Sequence, residues 1–268
     1  MADAHRIRIV GIGEDGLEGL TAAARTLVTN AELLVGETQT LDRIPPGSAE
    51  RLVVGNRLEE VVSRLKAVGR QNVVVLAEGD PLFYGVARFL CDQLGKDRFD
   101  VIPHVSSMQL AFARVKESWE EAFLTNLANH EIDAVVEQIR VAEKVGLFTT
   151  ESCPPKAVAK ALLSQNLDYF TAYVCENLNS PDERVTHGEL AEIAELTFHP
   201  LNVMILVRKP AVPDRPSESI GRRLFGNPDE MFGQTQPKHE LVTPAEVRAM
   251  AIAELDLGPR SVVWDVGA

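Results

Sequence analysis

The chain has 268 residues, 45% of them hydrophobic and 25% charged, with a formal net charge of −12, which is enough for one large or two small globular domains. The acidic balance argues against nucleic acid or an anionic membrane surface as the main partner, because both require a positive field. No apolar run approaches the ~18 residues that a membrane helix needs, and the N-terminus lacks a secretion signal, so we expect a cytoplasmic protein.

Strand-like runs alternate with amphipathic helical stretches along the first half of the chain. The predicted strands lie in "RIRIVGIG", "AELLVGE", "NVVVLAEGDP" and "FDVIPHVSS". The predicted helices lie in "LTAAARTLVTN", "VVSRLKAVGR", "PLFYGVARFLCDQLG" and "MQLAFARV". We expect Asp80 to cap the third of these helices and Pro81 to be its first residue. This alternation is typical of an α/β fold with largely parallel strands.

A second series of the same kind follows. It predicts helices in "EIDAVVEQIRVAEK", "PKAVAKALLSQN" and "ELAEIAEL", and strands in "VGLFTT", "YFTAYVCEN" and "NVMILVRK". We therefore predict an α/β fold of two lobes, residues 1–116 and 117–209.

The remainder of the chain differs in character. Residues 210–242 are proline-rich and without periodicity, which predicts a linker. Next come a helix "AEVRAMAIAEL", with Thr243 as its N-cap and Pro244 as its first residue, and a strand "SVVWDV". Residues 243–268 are therefore interpreted as the opening of a further unit.

Cysteine and histidine are scattered along the chain. Its three cysteines and six histidines lack the spacing of a disulfide framework or of a metal site. We expect Cys91, Cys153 and Cys175 to be buried free thiols and expect no bound metal.

The turn after the first predicted strand, "GIGEDG", has the G-x-G-x-x-G spacing of a dinucleotide-binding loop. Its glycines are Gly11, Gly13 and Gly16. Glu37 follows the next strand, where such domains carry an acidic residue. Glu14 and Asp15 inside the loop oppose a pyrophosphate, each by about 4 kcal/mol at ~4 Å and an effective dielectric near 20, before screening. The loop suits a neutral or partly cationic ligand better, while an NAD(P)-dependent oxidoreductase and a purely structural turn remain as alternatives.

Two further turns are expected at the same edge of the sheet. "LAEGDPLFYG" contains Gly79, Asp80 and Phe83, and "HVSSMQ" contains Ser106 and Ser107. Helix capping alone would account for much of either turn. Because ligands of open α/β sheets bind at the carboxyl ends of the strands, three such turns together predict a binding cleft.

The stretches "VGIGEDGLEGLT", "EGDPLFYG" and "IPHVSS", in this order and spacing, resemble the three glycine-rich and serine-rich loops of the tetrapyrrole methylase family. Members of that family use S-adenosylmethionine. "ENLNSPDERVTHGELAEIAELTFHPLNVMILVRK" resembles the carboxyl lobe of the corrin-pathway branch that methylates precorrin-6Y. The resemblance covers roughly residues 6–209 and implies two lobes with the active-site cleft between them, and a homodimer.

The resemblance also implies the site and its reaction. It implies transfer of a methyl group from S-adenosylmethionine to a meso carbon, position 5, of precorrin-6Y or a cobalt-precorrin in cobalamin biosynthesis. The implied cofactor contacts are Gly11, Gly13, Glu14, Gly79, Asp80, Phe83, Ser106, Ser107, Thr149, Leu178 and Leu201.

No catalytic residue is assigned. Tyr84 and His130 are candidates for a general base, with packing or surface roles as the alternative. The cations that could hold the carboxylates of a corrinoid substrate are Arg88, Arg114, Lys116 and Arg184.

The last residues extend the resemblance. "WDVGA" is similar to the first strand of the Rossmann-like methyltransferase domain that is often fused to this branch, so we expect residues 243–268 to be the truncated start of that domain. The stretch "FLTNLANH", residues 123–130, departs from the family pattern. A non-catalytic relic of the fold is therefore a third alternative.

Overall fold

The computed structural model describes residues 6–55, 58–210, 229, 232, 243–257, 261–264 and 266. Strands and helices alternate along these residues. The strands are β1 Ile7–Ile12, β2 Leu33–Gly36, β3 Glu50–Val53, β4 Val73–Glu78, β5 Phe99–Ile102, β6 Phe123–Asn126, β7 Lys144–Phe148, β8 Phe170–Glu176, β9 Arg184–Glu189 and β10 Asn202–Arg208. The helices are α1 Ala22–Thr29, α2 Thr38–Asp42, α3 Leu58–Ala67, α4 Val86–Leu94, α5 Ser107–Val115, α6 Ile132–Val141, α7 Pro155–Ser164, α8 Leu190–Ile193 and α9 Ala245–Glu254.

The first five strands form a parallel sheet of order β3-β2-β4-β1-β5. Side chains at alternate positions of its inner strands enter two separate cores. Ile9 and Val75 pack with α3 and α4, whereas Val10 and Leu76 pack with α1 and α2. Both faces of the sheet are thus covered by helices, which is why the central strands are almost continuous apolar runs.

The other five strands form a second sheet of order β6-β7-β10-β8-β9, in which β6 and β7 are parallel. Helices α6, α7 and α8 pack on it around the buried side chains of Ile139, Leu162 and Ile193. The two-lobed α/β fold predicted from the sequence is confirmed.

The chain divides into two compact units that do not follow the sequence order strictly. The first unit contains residues 1–118 together with 175–185 and 201–203, and the second contains 119–174, 186–200 and 204–268. We predicted a boundary after residue 116. The two later segments of the first unit were predicted to lie in the second lobe.

Several predicted elements differ from those in the structure. The strands β3, β6 and β9 and the short helix α2 were not predicted. The predicted linker, residues 210–242, lies almost wholly outside the described residues. Within the described part of the chain, no helix is long and apolar enough to cross a membrane.

The predictions for the end of the chain need two corrections. Helix α9 begins at Ala245 with Pro244 as its N-cap and without a side-chain cap, so Thr243 does not cap it. The Thr243 carbonyl instead accepts a hydrogen bond from the Arg248 guanidinium. Residues 261–264 form no strand, and Trp264 is 84% exposed. A strand needs a neighbouring strand for its backbone hydrogen bonds, and among the described residues neither sheet includes this stretch.

Candidate functional site

Three loops leave the carboxyl edge of the first sheet side by side. Loop A is residues 13–21 after β1, loop B is residues 79–85 after β4, and loop C is residues 103–106 after β5. Strand β1 lies between β4 and β5. The Gly79 amide donates to the Ile12 carbonyl at 3.0 Å, and the His104 amide donates to the Gly79 carbonyl at 3.2 Å. The structure thus brings the three predicted turns together at the edge where α/β sheets bind ligands.

Close packing between these loops requires glycine at two of the predicted cofactor contacts, Gly11 and Gly79. A Cβ atom on Gly11 would lie 2.6 Å from the His104 amide nitrogen, and one on Gly79 would lie 2.9 Å from the Ser106 Cα. Gly79 also has a φ of +57°, which favours glycine. The loops could not meet as they do with a side chain at either position.

Loop A lacks the geometry of a dinucleotide-binding loop. The Gly16 amide donates to the Gly13 carbonyl at 3.1 Å in a turn, and α1 begins only at Ala22, capped by Thr21. In dinucleotide-binding domains β1 lies next to β2 and its glycine loop opens the helix directly. Here β4 separates β1 from β2, so Glu37 follows a strand that is not adjacent to loop A. The topology gives the oxidoreductase alternative no support.

Loop B is a series of turns, and the helix after it starts later than predicted. The Asp80 carboxylate accepts a hydrogen bond from the Leu82 amide at 2.9 Å, a turn that Asp commonly stabilises. Helix α4 begins at Val86 with Gly85 as its N-cap. The predicted roles of Asp80 as the cap and Pro81 as the first residue of that helix were therefore wrong.

An aromatic pair lies in the same loop. Phe83 and Tyr84 meet edge to face with 4.9 Å between ring centroids, and Tyr84 is 44% exposed. The φ of Tyr84 is +58°, a left-handed conformation that is uncommon for a bulky residue. This conformation ends any helix at Tyr84 and explains why α4 cannot begin at Pro81.

Loop C opens into α5 through a capping box. The Ser106 hydroxyl accepts from the Gln109 amide at 3.2 Å, and the Gln109 side chain accepts from the Ser106 amide at 2.9 Å. Ser107 is the first helical residue. A side chain that the sequence analysis did not single out, His104, lies with its Nε2 atom 3.2 Å from the Gly19 carbonyl of loop A. Loop C therefore contacts both other loops.

Three carboxylates and one guanidinium interact at this edge. Arg43 forms an ion pair with Glu14 of loop A, and Glu78 at the end of β4 interacts with Arg43, Glu14 and Glu37. Glu78 is exposed as a whole residue, but partial desolvation of its carboxyl group raises its pKa. Arg43 opposes this increase, while Glu14 and Glu37 add to it. The edge is acidic and favours a ligand that carries positive charge.

The predicted cofactor contacts from the second half of the sequence do not all lie in the same unit. Leu178 and Leu201 belong to the first unit, where the Asn177 amide donates to the Leu201 carbonyl at 3.1 Å. Leu178 is buried and Leu201 is 54% exposed. Thr149, which follows β7, belongs to the second unit. The other ten predicted contacts therefore share one unit, and as cofactor contacts all eleven stay predictions.

The candidate cations are placed differently from one another. Arg114 pairs with Glu183, and Arg184 pairs with Glu176. Lys116 is the C-cap that follows α5 and has a φ of +63°. Arg88 is exposed on α4, and the general-base candidate His130 is exposed after β6.

The cysteines are free thiols, but only Cys175 is fully buried. Burial raises the pKa of Cys175 to about 12, so its nucleophilic thiolate form is scarce at neutral pH. No group of three or more His, Cys, Asp and Glu side chains within the described ranges could hold a metal ion.

His104, Arg43 and Glu78 were not predicted as residues of the site. Arg43 lies 29 positions from Glu14, so no local spacing could have paired them. His104 stands within the quoted stretch "IPHVSS", and its place in a predicted loop was a usable signal. The contact of its ring with loop A depends on strand order.

Comparison with known proteins relates the chain to one family and to several named relatives. The family model "Tetrapyrrole (Corrin/Porphyrin) Methylases" matches residues 6–194. A "Precorrin-6Y C(5,15)-methyltransferase [decarboxylating]" of Sinorhizobium sp is 28% identical over 97% of this chain, which spans only 62% of that relative's length. A "Probable cobalt-precorrin-7 C(5)-methyltransferase" of Methanocaldococcus jannaschii is 30% identical over 74% of this chain and 96% of its own length.

A solved structure shows the same fold. Uroporphyrin-III C-methyl transferase from Thermus thermophilus, complexed with S-adenyl homocysteine, superposes with a TM-score of 0.61 at 23% identity. The superposition covers 75% of this chain and 92% of the Thermus chain.

Proposed function

Since the chain belongs to the tetrapyrrole (corrin/porphyrin) methylases, we propose that it is an S-adenosylmethionine-dependent methyltransferase. The methyl group is transferred to the meso carbon at position 5 of precorrin-6Y or a cobalt-precorrin. This transfer is a step of cobalamin biosynthesis. The observation that carries the proposal is the family match over residues 6–194, which contains loops A, B and C. The names of the relatives from Sinorhizobium and Methanocaldococcus support the acceptor.

The charge of the candidate site fits this cofactor. Glu14, Glu37 and Glu78 outnumber the one guanidinium of Arg43 that interacts with them. S-adenosylmethionine carries a sulfonium and an ammonium group against one carboxylate, whereas the pyrophosphate of a nicotinamide cofactor carries only negative charge. The acidic edge therefore supports S-adenosylmethionine in preference to a nicotinamide cofactor.

The chain contributes binding and orientation to the reaction. The cofactor's sulfonium supplies an already activated methyl group, so the protein has mainly to align donor and acceptor and to exclude water. Loops A, B and C offer backbone groups and the side chains of Glu14, Asp80 and Phe83 for this purpose, and Leu178 and Leu201 add apolar contacts. Thr149 is the contact proposed from the second unit.

The proposal also covers the oligomeric state, the substrate and the location of the enzyme. Family membership supports a homodimer with a corrinoid substrate, and we place this enzyme in the cytoplasm. Light scattering of the purified chain tests the dimer directly, since it reports the mass of the particle in solution.

Isothermal titration of the chain with S-adenosylhomocysteine, NAD and NADP tests the cofactor. We expect saturable binding of S-adenosylhomocysteine alone, at roughly micromolar affinity or about −8 kcal/mol. Asp80→Ala should weaken this binding at least about tenfold, because the carboxylate orders loop B through the Leu82 amide. The matched control, Asp92→Ala on the exposed surface of α4, should leave the affinity unchanged.

Other outcomes would contradict the proposal in different ways. Binding of a nicotinamide cofactor alone would overturn the assignment of the cofactor. Binding of S-adenosylhomocysteine without transfer of a labelled methyl group to precorrin-6Y or to a cobalt-precorrin would favour the non-catalytic relic.

A further inference from the structure

The stretch "ENLNSPDERV", residues 176–185, carries part of the resemblance to the corrin-pathway branch. Together with Cys175 it belongs to the first unit, although the chain before it, up to Val174, and after it, from Thr186, belongs to the second. We call residues 175–185 loop D. A segment that joins another unit in this way needs contacts that hold it there.

Loop D is closed on itself by a two-pronged ion pair. The Arg184 Nε atom donates to one carboxylate oxygen of Glu176 at 2.6 Å, and its Nη2 atom donates to the other at 2.8 Å. The Glu176 side chain is only 2% exposed, so Arg184 neutralises a buried charge. Backbone turns from Asn177 to Ser180 and from Ser180 to Glu183 complete the loop.

A second ion pair links loop D to the first unit. Arg114 stands in the last turn of α5 and donates through Nε and Nη2 to the two carboxylate oxygens of Glu183, the Nη2 bond measuring 3.1 Å. The same carboxylate accepts the Asn179 amide at 2.7 Å. Glu183 therefore connects the helix and the backbone of loop D at one point, and its two-pronged geometry is of the strong kind.

Helix α5 connects this link to the candidate site. Its N-terminus carries Ser106 and Ser107, two of the proposed cofactor contacts, and loop D carries Leu178, another. A helix of nine residues is a rigid rod of about 14 Å. Fixing loop D to the end of α5 therefore fixes Leu178 relative to the serines.

We infer that Arg114 and Glu183 are positioning residues, whose ion pair holds loop D on helix α5 and so places Leu178 for the cofactor. The inference rests on the proposed function. It gives the "PDER" part of the motif a physical role, since Glu183 binds the helix while Arg184 closes the loop. It also means that Arg114 binds the Glu183 carboxylate of its own unit and not, as predicted, a carboxylate of the substrate.

Hydrogen exchange and cofactor binding, measured on the same full-length variants, test the inference. Arg114→Gln and Glu183→Gln should each accelerate exchange of the loop D amides at least about tenfold and raise the dissociation constant for S-adenosylhomocysteine by a similar factor. Because both changes remove one interaction, the double variant should be no worse than either single variant. The exchanged pair Arg114→Glu/Glu183→Arg should recover the part of both losses that is due to the ion pair, but not the hydrogen bond from the Asn179 amide, which arginine cannot accept.

A matched control uses another ion pair of the same unit. Arg64 on α3 pairs with Glu50 of β3, and Arg64→Gln should change neither the exchange of loop D nor the affinity. Arg114→Lys keeps the charge but loses the two-pronged geometry, and should give intermediate values in both measurements.

The possible results separate this inference from the proposed function. Unchanged exchange of loop D in Arg114→Gln overturns the inference, and so does faster exchange with an unchanged dissociation constant, which leaves the proposed function intact. A wild-type chain that does not bind S-adenosylhomocysteine overturns the proposed function, and with it the role of the ion pair in placing Leu178 for the cofactor.

Discussion

Gly11 and Gly36 are both buried at the ends of strands in the first sheet, but their surroundings differ. A Cβ atom on Gly11 would lie 2.6 Å from the His104 amide nitrogen, which belongs to the backbone of loop C. A Cβ atom on Gly36 would lie no closer than 3.4 Å to the nearest atoms, which is ordinary contact. The meeting of the loops thus depends on the missing side chain at Gly11.

We expect Gly11→Ala to destabilise the protein by about 1–3 kcal/mol, the usual cost of forcing extra atoms into a packed region. Gly36→Ala should change the free energy of unfolding by less than about 1 kcal/mol. Urea denaturation of both variants measures the difference. Equal effects would show that the loops can move apart at little cost and that their packing does not require glycine.

At the scale of elements, loop D and helix α5 depend on one carboxylate. The Arg114 hydrogen bond lowers the pKa of Glu183 below its ordinary value, and the Asn179 amide adds to this effect, while partial burial opposes it. A lowered pKa means that folding favours the ionised carboxylate. The resulting stability is present above the unfolded pKa of about 4.3 and is lost as the pH falls through the lower folded value.

The difference in unfolding free energy between wild type and Glu183→Gln should therefore be constant from pH 8 down to about pH 5 and shrink as the pH falls further. Denaturant titrations at a series of pH values measure it. The difference in unfolding free energy between Arg114→Gln and the double variant should depend much less on pH, because Glu183 has no guanidinium partner in Arg114→Gln. A difference that stays constant down to pH 3 would contradict the role of the ionised carboxylate.

Among the described residues, the buried cores of the molecule all lie before residue 210. Two of them lie on the two faces of the first sheet, and the third lies where α6, α7 and α8 pack on the second sheet. Helix α9, in contrast, has no buried residue, and Met250 on it is 67% exposed. The apolar residues of α9 therefore contribute little to the stability of the units that carry the site.

A chain that ends at Pro210 should keep its unfolding temperature within about 2 °C, which corresponds to less than about 1 kcal/mol. It should also keep its affinity for S-adenosylhomocysteine. Differential scanning calorimetry measures the first quantity. A chain that ends at Pro200 is the matched control, since it lacks β10, the central strand of the second sheet, and should not fold. A large loss of stability on removal of residues 211–268 would contradict the expectation.

Local patterns were enough to predict most of the fold. The runs "RIRIVGIG" and "NVVVLAEGDP" contain β1 and β4, because a strand buried on both faces needs a continuous apolar run. The short edge strands β3 and β6 have weaker patterns and were missed. The predicted start of α4 was wrong because Tyr84 has a left-handed conformation. This conformation depends on how loop B packs, and residue preferences carry no information about that packing.

The two α/β lobes, the three turns and the acidic character of loop A could be predicted from the sequence, since each depends on residues close together in the chain. Three contacts could not be predicted in this way: Glu14 pairs with Arg43, His104 contacts loop A, and Arg114 pairs with Glu183, 69 positions away. These contacts follow from strand order and from the membership of loop D in the first unit. Many strand orders are compatible with the same local patterns, and the energy of packing the whole chain selects one of them.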